Sequence, residues 1–149
     1  MNSLFDTQTV EKILQRIDNL KVDSPRTWGK MDVAQMMAHC VAGLETAVGD
    51  RNPPQSLFGK VVGRFMRGML TDDKPMSKNL PTSPHFTIVD VRDFEREKSR
   101  LIALTKRLSE GGEDGITKNP HPFFGKITPI QWSSGQWKHL DHHLRQFGV

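Results

Sequence analysis

The chain holds a single cysteine, Cys40, so no disulfide within it can brace the fold. No stretch approaches the roughly 18 apolar residues that a membrane-crossing helix needs. The start, Met1-Asn2-Ser3-Leu4-Phe5-Asp6, has no basic segment followed by an apolar one. Sustained strand alternation is missing, as are internal repeats and low-complexity tracts. Neither sign of charge dominates: 21 basic and 17 acidic residues are interspersed, the net charge is +4, and no basic stripe suits a nucleic-acid backbone. The expectation from these absences is a cytoplasmic protein that acts on a small molecule, with neither nucleic acid nor membrane as partner. At 149 residues, 36% of them hydrophobic and 26% charged, a single domain over residues 1–149 with one core is expected.

Helical periodicity is what the chain does have. A first helix is expected over about Asp6 to Val22, where Asp6 or Thr7 can cap free amides and Val10, Ile13, Leu14, Ile17 and Leu20 recur at helical spacing. Ser24-Pro25 ends it. A second runs from Asp32, a good N-cap, to about Val48, with Val33, Met36, Met37, Cys40, Val41, Leu44 and Val48 on one broad face and Gly49 as its stop. A third begins near Asp90 and continues through Val91, Phe94, Leu101, Ile102, Leu104 and Leu108 to Gly111-Gly112. Thr128-Pro129-Ile130-Gln131 opens a fourth with an N-cap threonine, proline at the first helical position and glutamine at the third, a capping box; Gly148 should close it. The connection of about forty residues between the second and third helices is too long to be structureless in a compact domain. Its first half, Leu57 to Leu70, sets Leu57, Phe58, Val61, Val62, Phe65, Met66, Met69 and Leu70 against Lys60, Arg64 and Arg67. This predicts a short extra helix, packed on the bundle or at a homodimer contact rather than laid on a membrane. Asp72 to Pro84, with three prolines, reads as an irregular loop. Four antiparallel helices with one long crossover make an all-α four-helix bundle.

Chemistry concentrates at the C-terminal end. His139-Leu140-Asp141-His142-His143 places three imidazoles within five residues of one helix. Residues four apart share a face, with Cβ atoms roughly 5–6 Å apart, so His139 and His143 can aim at one point, half of a divalent-metal site. His39, mid-way along the second helix, is the leading third ligand. Counted around its helix it lies near Gln35, Gly43 and Thr46, off the apolar stripe. His139, His143 and Gln146 likewise lie beside the stripe of Trp137, Leu140, Leu144 and Phe147. The expectation is a metal at an apolar rim, reachable from solvent or a cleft. Gly43, one turn after His39, and Gly135, one turn before His139, each cost their helix about 1 kcal/mol relative to alanine. An open cleft or a close helix contact would explain them equally well.

One histidine on the second helix, His-x-x-x-His on the fourth and Gln146 three residues further on resemble the DinB/YfiT-like superfamily of metalloproteins. The phrase Lys138 to Gly148, preceded by His121-Pro122-Phe123-Phe124-Gly125-Lys126, resembles a bacterial branch of that superfamily of unknown function. The resemblance implies an up-down-down-up four-helix bundle that binds zinc, nickel or another divalent ion through His39, His139 and His143. It further implies use of a low-molecular-weight thiol, since characterised relatives include thiol-dependent S-transferases and an isomerase. Relatives often carry tryptophan at the start of the second helix, where Met31 stands here.

Three protein ligands leave coordination positions open, the layout of a catalytic site. On such a site the resemblance implies a metal-dependent thiol S-transferase. An open metal can also serve hydrolysis, and a non-catalytic metal- or ligand-binding bundle in stress response is the reading from another class. No glutamate neighbours the histidine pair as in His-Glu-x-x-His hydrolases, but His121, His142 and Gln146 are candidate catalytic groups. The other residues read more plainly: His85 as surface, Cys40 as a buried inert thiol, Asp141 and Arg145 as a surface ion pair, and Trp132 and Trp137 as core or lid aromatics.

Overall fold

The computed structural model describes all residues, Met1–Val149, and contains five α-helices and no strand. The helices are α1 (Thr7–Asp18), α2 (Val33–Val48), α3 (Leu57–Val62), α4 (Phe94–Gly111) and α5 (Pro129–Gln146), with 3-10 segments at Gly63–Leu70 and Pro84–Phe86. No helix is long and apolar enough to cross a membrane.

Helix α2 is buried almost all round, from Val33 to Ala47, as befits a helix whose sequence is apolar on most faces. It packs against α4 and α5, and α1 packs against the same two helices. The core joins Val10, Ile13 and Ile17 of α1, Met36, Met37, Val41 and Leu44 of α2, Leu101 and Leu108 of α4, and Trp132, Leu140 and Leu144 of α5. Each fully buried side chain of this size contributes about 1.5–3 kcal/mol of transfer free energy. Polar ties add direction. Arg100 of α4 donates to Glu45 of α2 at 2.7 Å and to the buried Glu97 on its own helix at 2.9 Å. Arg16 of α1 bonds Asp141 of α5 at 2.8 Å, whereas Arg145 lies 3.4 Å away. Asp141 therefore does more than form the expected pair within its own helix.

Three expectations change. Helix α1 stops at Asp18, with Asn19 as its C-cap, so Val22 lies beyond it, exposed. Helix α4 starts at Phe94 because the Asp93 carboxylate, not Asp90, accepts the free amide of Arg96 at 2.7 Å, and Val91 is left 94% exposed ahead of the helix. The crossover segment is α-helical only to Val62 and continues as a 3-10 segment. Its Gly59 and Gly63 press against the backbone of Phe123: a Cβ on Gly59 would fall 2.5 Å from the Phe123 carbonyl oxygen, and one on Gly63 would collide with it outright. With the small residues turned inward, Leu57, Phe58, Val61 and Phe65 face outward, 65–81% exposed. Only Leu70 of the expected packing face is buried, against Gly135 of α5.

Candidate metal centre

Both helices that carry the site are fixed at their N-termini by reciprocal caps. At α2 the Asp32 carboxylate accepts the Gln35 amide at 2.8 Å, while the Gln35 side-chain oxygen accepts the Asp32 amide at 3.0 Å. At α5 Thr128 and Gln131 make the same exchange. Gly49 closes α2 in the left-handed conformation, φ +89°, which glycine adopts without penalty. With both starts pinned, the rotation of each helix is set, and His39 of α2 meets His139 and His143 of α5.

The three rings form a near-equilateral triangle, with centroids 4.7 Å (His39–His139), 4.8 Å (His39–His143) and 4.8 Å (His139–His143) apart. One ring nitrogen from each lies within 4.8 Å of the others. The Nε2 atoms of His39 and His139 are 2.8 Å apart. Imidazoles bound tetrahedrally at about 2.0–2.1 Å would hold their nitrogens about 3.3 Å apart. Parting that pair by about half an ångström would match the spacing an ion imposes.

The far side of two of these rings is anchored. His39 Nδ1 donates to the carbonyl of Phe86 at 2.8 Å, a backbone oxygen delivered by the 3-10 turn of the crossover. His143 Nδ1 donates to Gln146 Oε1 at 2.8 Å, and Gln146 Nε2 in turn donates to the Trp28 carbonyl at 2.7 Å. These bonds place the proton of each ring on Nδ1 and leave an Nε2 lone pair for the centre, the second-sphere pattern of metal-binding histidines. Burial reinforces the neutral form. It lowers the His39 pKa against the opposing Phe86 bond and brings His143 to about 3. His139 falls well below the ordinary value through burial and then through its histidine neighbours. Three neutral imidazoles are the protonation state a divalent ion requires, so the donor set fits such an ion.

His39 and His143 are buried at 6% and 8% exposure, deeper than the expected rim, and His139 alone is half-buried. His142 stands outside the triangle, its ring 5.0 Å from His143 and 5.5 Å from Trp28, with its pKa lowered by burial against a bond to the Met76 backbone. His121 spends its Nδ1 on the Phe123 and Phe124 amides at 3.0 and 3.2 Å and packs 4.7 Å from Trp132, tying down the loop that enters α5. Burial brings it to about 4. Gln146 has both ends of its amide engaged, which makes it an orienting group for His143. Cys40 points into the core at 1% exposure, where burial pushes its thiol far up, and His85 is exposed, both as expected. Trp132 is core and Trp137 packs against it.

The sequence reading missed three elements of the site. The Phe86 and Trp28 carbonyls carry no mark in a sequence, because any residue offers one. Gln136 was also missed. Of the two explanations for Gly43, the structure favours close contact over an open cleft: a methyl there would lie 3.1 Å from Gln136 Oε1 and 3.3 Å from His139 Nδ1. A methyl at Gly135 would likewise lie 2.8 Å from the Leu70 side chain. The spacing of Gln136 three residues before His139 was the available signal.

Fold and site together define an all-helical protein with a three-histidine cluster able to hold a metal ion. The chain belongs to the family described as Protein of unknown function (DUF1569), whose profile matches residues 2–148. Among curated proteins and solved structures, none matches the chain.

Proposed function

We propose that this protein is a divalent-metal-dependent enzyme that activates a low-molecular-weight thiol for transfer to an electrophilic small molecule. The fold is read as a four-helix bundle of α1, α2, α4 and α5 in the up-down-down-up order of the DinB-like superfamily, supported by the packing of α2 and of α1 against both α4 and α5. The observation that carries the reading is the convergence of His39, His139 and His143 as neutral rings, two of them anchored through Nδ1. Zinc or nickel suits three imidazoles, and such an ion supplies the lowering of a bound thiol's pKa.

The chain's own groups do the rest. His39 and His143, which with His139 would hold the ion, are fixed through Phe86 and Gln146, and neither can swing away without leaving a buried donor unpaired. His142 takes the proton of the incoming thiol, a role supported by its ring lying 5.0 Å from that of His143 and by burial that lowers its pKa. The Phe86 carbonyl fixes the His39 ring, and the Trp28 carbonyl fixes that of His143 by way of Gln146. His121 holds the loop His121–Lys126 in place rather than touching the thiol.

The test is elemental analysis of protein purified without a histidine tag, followed by thiol consumption across a panel of electrophiles. Metal near one per chain and thiol-dependent turnover, both lost in His143→Ala with helicity retained, are expected. A protein that takes up no metal contradicts the site. One that binds metal but consumes no thiol with any electrophile leaves a metal-binding protein and removes the transferase assignment.

A further inference from the structure

We propose that Gln136 is the outer partner of His139, its side-chain oxygen receiving the Nδ1 proton that His139 carries whenever its Nε2 faces a metal ion. The inference rests on the three-histidine reading above. Two of the three histidines already own such a partner: Phe86 O for His39 and Gln146 Oε1 for His143. His139 makes its one hydrogen bond through Nε2, and its Nδ1 has no partner.

Gln136 has the complementary defect. It is 7% exposed, and its Oε1 is sealed from solvent with no donor. Buried acceptors in folded proteins are rarely left in this state, so an orphan of this kind marks a missing donor. The missing donor and the missing acceptor border the same gap. Gln136 Oε1 and His139 Nδ1 stand 3.1 and 3.3 Å from the same point, the place a Cβ on Gly43 would take. Gly43 leaves that point empty, and the two groups can close on each other across it. In sequence the arrangement is Gln136-x-x-His139-x-x-x-His143-x-x-Gln146, so each histidine of the pair has a glutamine three residues away on the outer side.

Proton bookkeeping explains why the bond is open. The Phe86 contact puts the His39 proton on Nδ1, so His39 Nε2 presents a lone pair. His139 Nε2, 2.8 Å away, must then carry the proton of that contact, and a neutral imidazole with Nε2–H has a bare Nδ1. When a cation takes the Nε2 lone pair, that proton leaves Nε2 and Nδ1 becomes the protonated nitrogen, with no net change in charge on the ring. Only then does His139 have a proton to give to Gln136 Oε1. Gln136 is thus a positioning residue for the metal-facing tautomer of His139.

The experiment measures zinc affinity by competition with a chromogenic chelator for the native chain, Gln136→Leu and Gln136→Glu. Long-range proton–nitrogen correlation on the zinc-loaded protein reports which ring nitrogen of His139 is protonated. Loss of an outer partner weakens metal binding about 10–100-fold, so Gln136→Leu is expected to bind zinc that much more weakly, while Gln136→Glu, which keeps the acceptor, binds no more weakly than native. The loaded His139 should be protonated at Nδ1. Should circular dichroism show Gln136→Leu unfolded, Gln136→Met, closer to glutamine in shape and equally without an acceptor, carries the same comparison. Native affinity in a folded variant without the acceptor overturns this inference alone, and so does a loaded His139 protonated at Nε2. A native chain that binds no zinc overturns the three-histidine reading on which it rests.

Discussion

Acid should unfold the metal-free protein in a window set by its histidines. Burial holds His121 at about 4 and His143 at about 3, against 6.5 for the same groups in an unfolded chain. Below pH 6.5 the unfolded state therefore binds protons that the native state refuses, and stability falls as pH falls. Each such group contributes a slope of about 1.4 kcal/mol per pH unit until its folded pKa is reached. From about pH 6.5 to about pH 4.5, His121 and His143 together remove about 5 kcal/mol, comparable with the lower end of the roughly 5–15 kcal/mol that native domains possess. His39 and His139 are depressed in the same direction and steepen the loss. The carboxylates held low, Asp6 and Asp72, titrate below this window and do not oppose it. Urea titrations followed by circular dichroism, in chelator, at half-unit steps from about pH 7.5 to 4.5 read the slope directly. An unfolding free energy that stays flat or rises as pH falls through this range would refute the reasoning, because it would mean these histidines are protonated in the native fold.

Two further outcomes follow from packing. Cys40, 1% exposed with its thiol pushed far up, should resist an aromatic disulfide reagent in the native protein and react fully in denaturant; rapid native reaction would show that α2 is not central. Gly63→Ala should cost about 1–3 kcal/mol in denaturant titration, because its methyl runs into the Phe123 carbonyl and the crossover must lift off the His121–Lys126 loop; an unchanged midpoint would place that contact elsewhere.

How well each element could be read in advance depended on whether its boundary was written in side chains. Helices α2 and α5 appear where their capping boxes place them, because Asp32 with Gln35 and Thr128 with Gln131 satisfy the free amides by chemistry visible in the sequence. Helix α4 was expected from near Asp90, but the Asp93 carboxylate is the one that caps it, which leaves Val91 in solvent. The crossover misled in a different way. Its apolar residues keep helical spacing, but Gly59 and Gly63 press against the Phe123 backbone, while Leu57, Phe58, Val61 and Phe65 turn outward and Leu70 alone of the apolar set is buried. Periodicity reports that a face exists and is silent about which way it points. The histidine cluster was legible because the four-residue spacing on α5 is local and His39 lay on a helix of known start. Its anchors were not, since Phe86 and Trp28 act through backbone oxygens brought in by loops of distant sequence.

The cluster also conflicts with the fold around it. His39 and His143 are buried polar rings beside a core of nineteen apolar residues. What the imidazoles bring is a cost: three neutral rings facing one another, one hydrogen bond among them, and a loss of stability in mild acid. An apolar residue at position 39 or 143 would remove that acid cost while burying comparable area. Conflicts of this kind, where local choice opposes stability and the neighbouring groups have been arranged to sustain it, mark functional positions rather than structural ones. Phe86, Gln146 and Trp28 are arranged in that way around His39 and His143. An ion bound there would add its mass-action share to the stability of the fold.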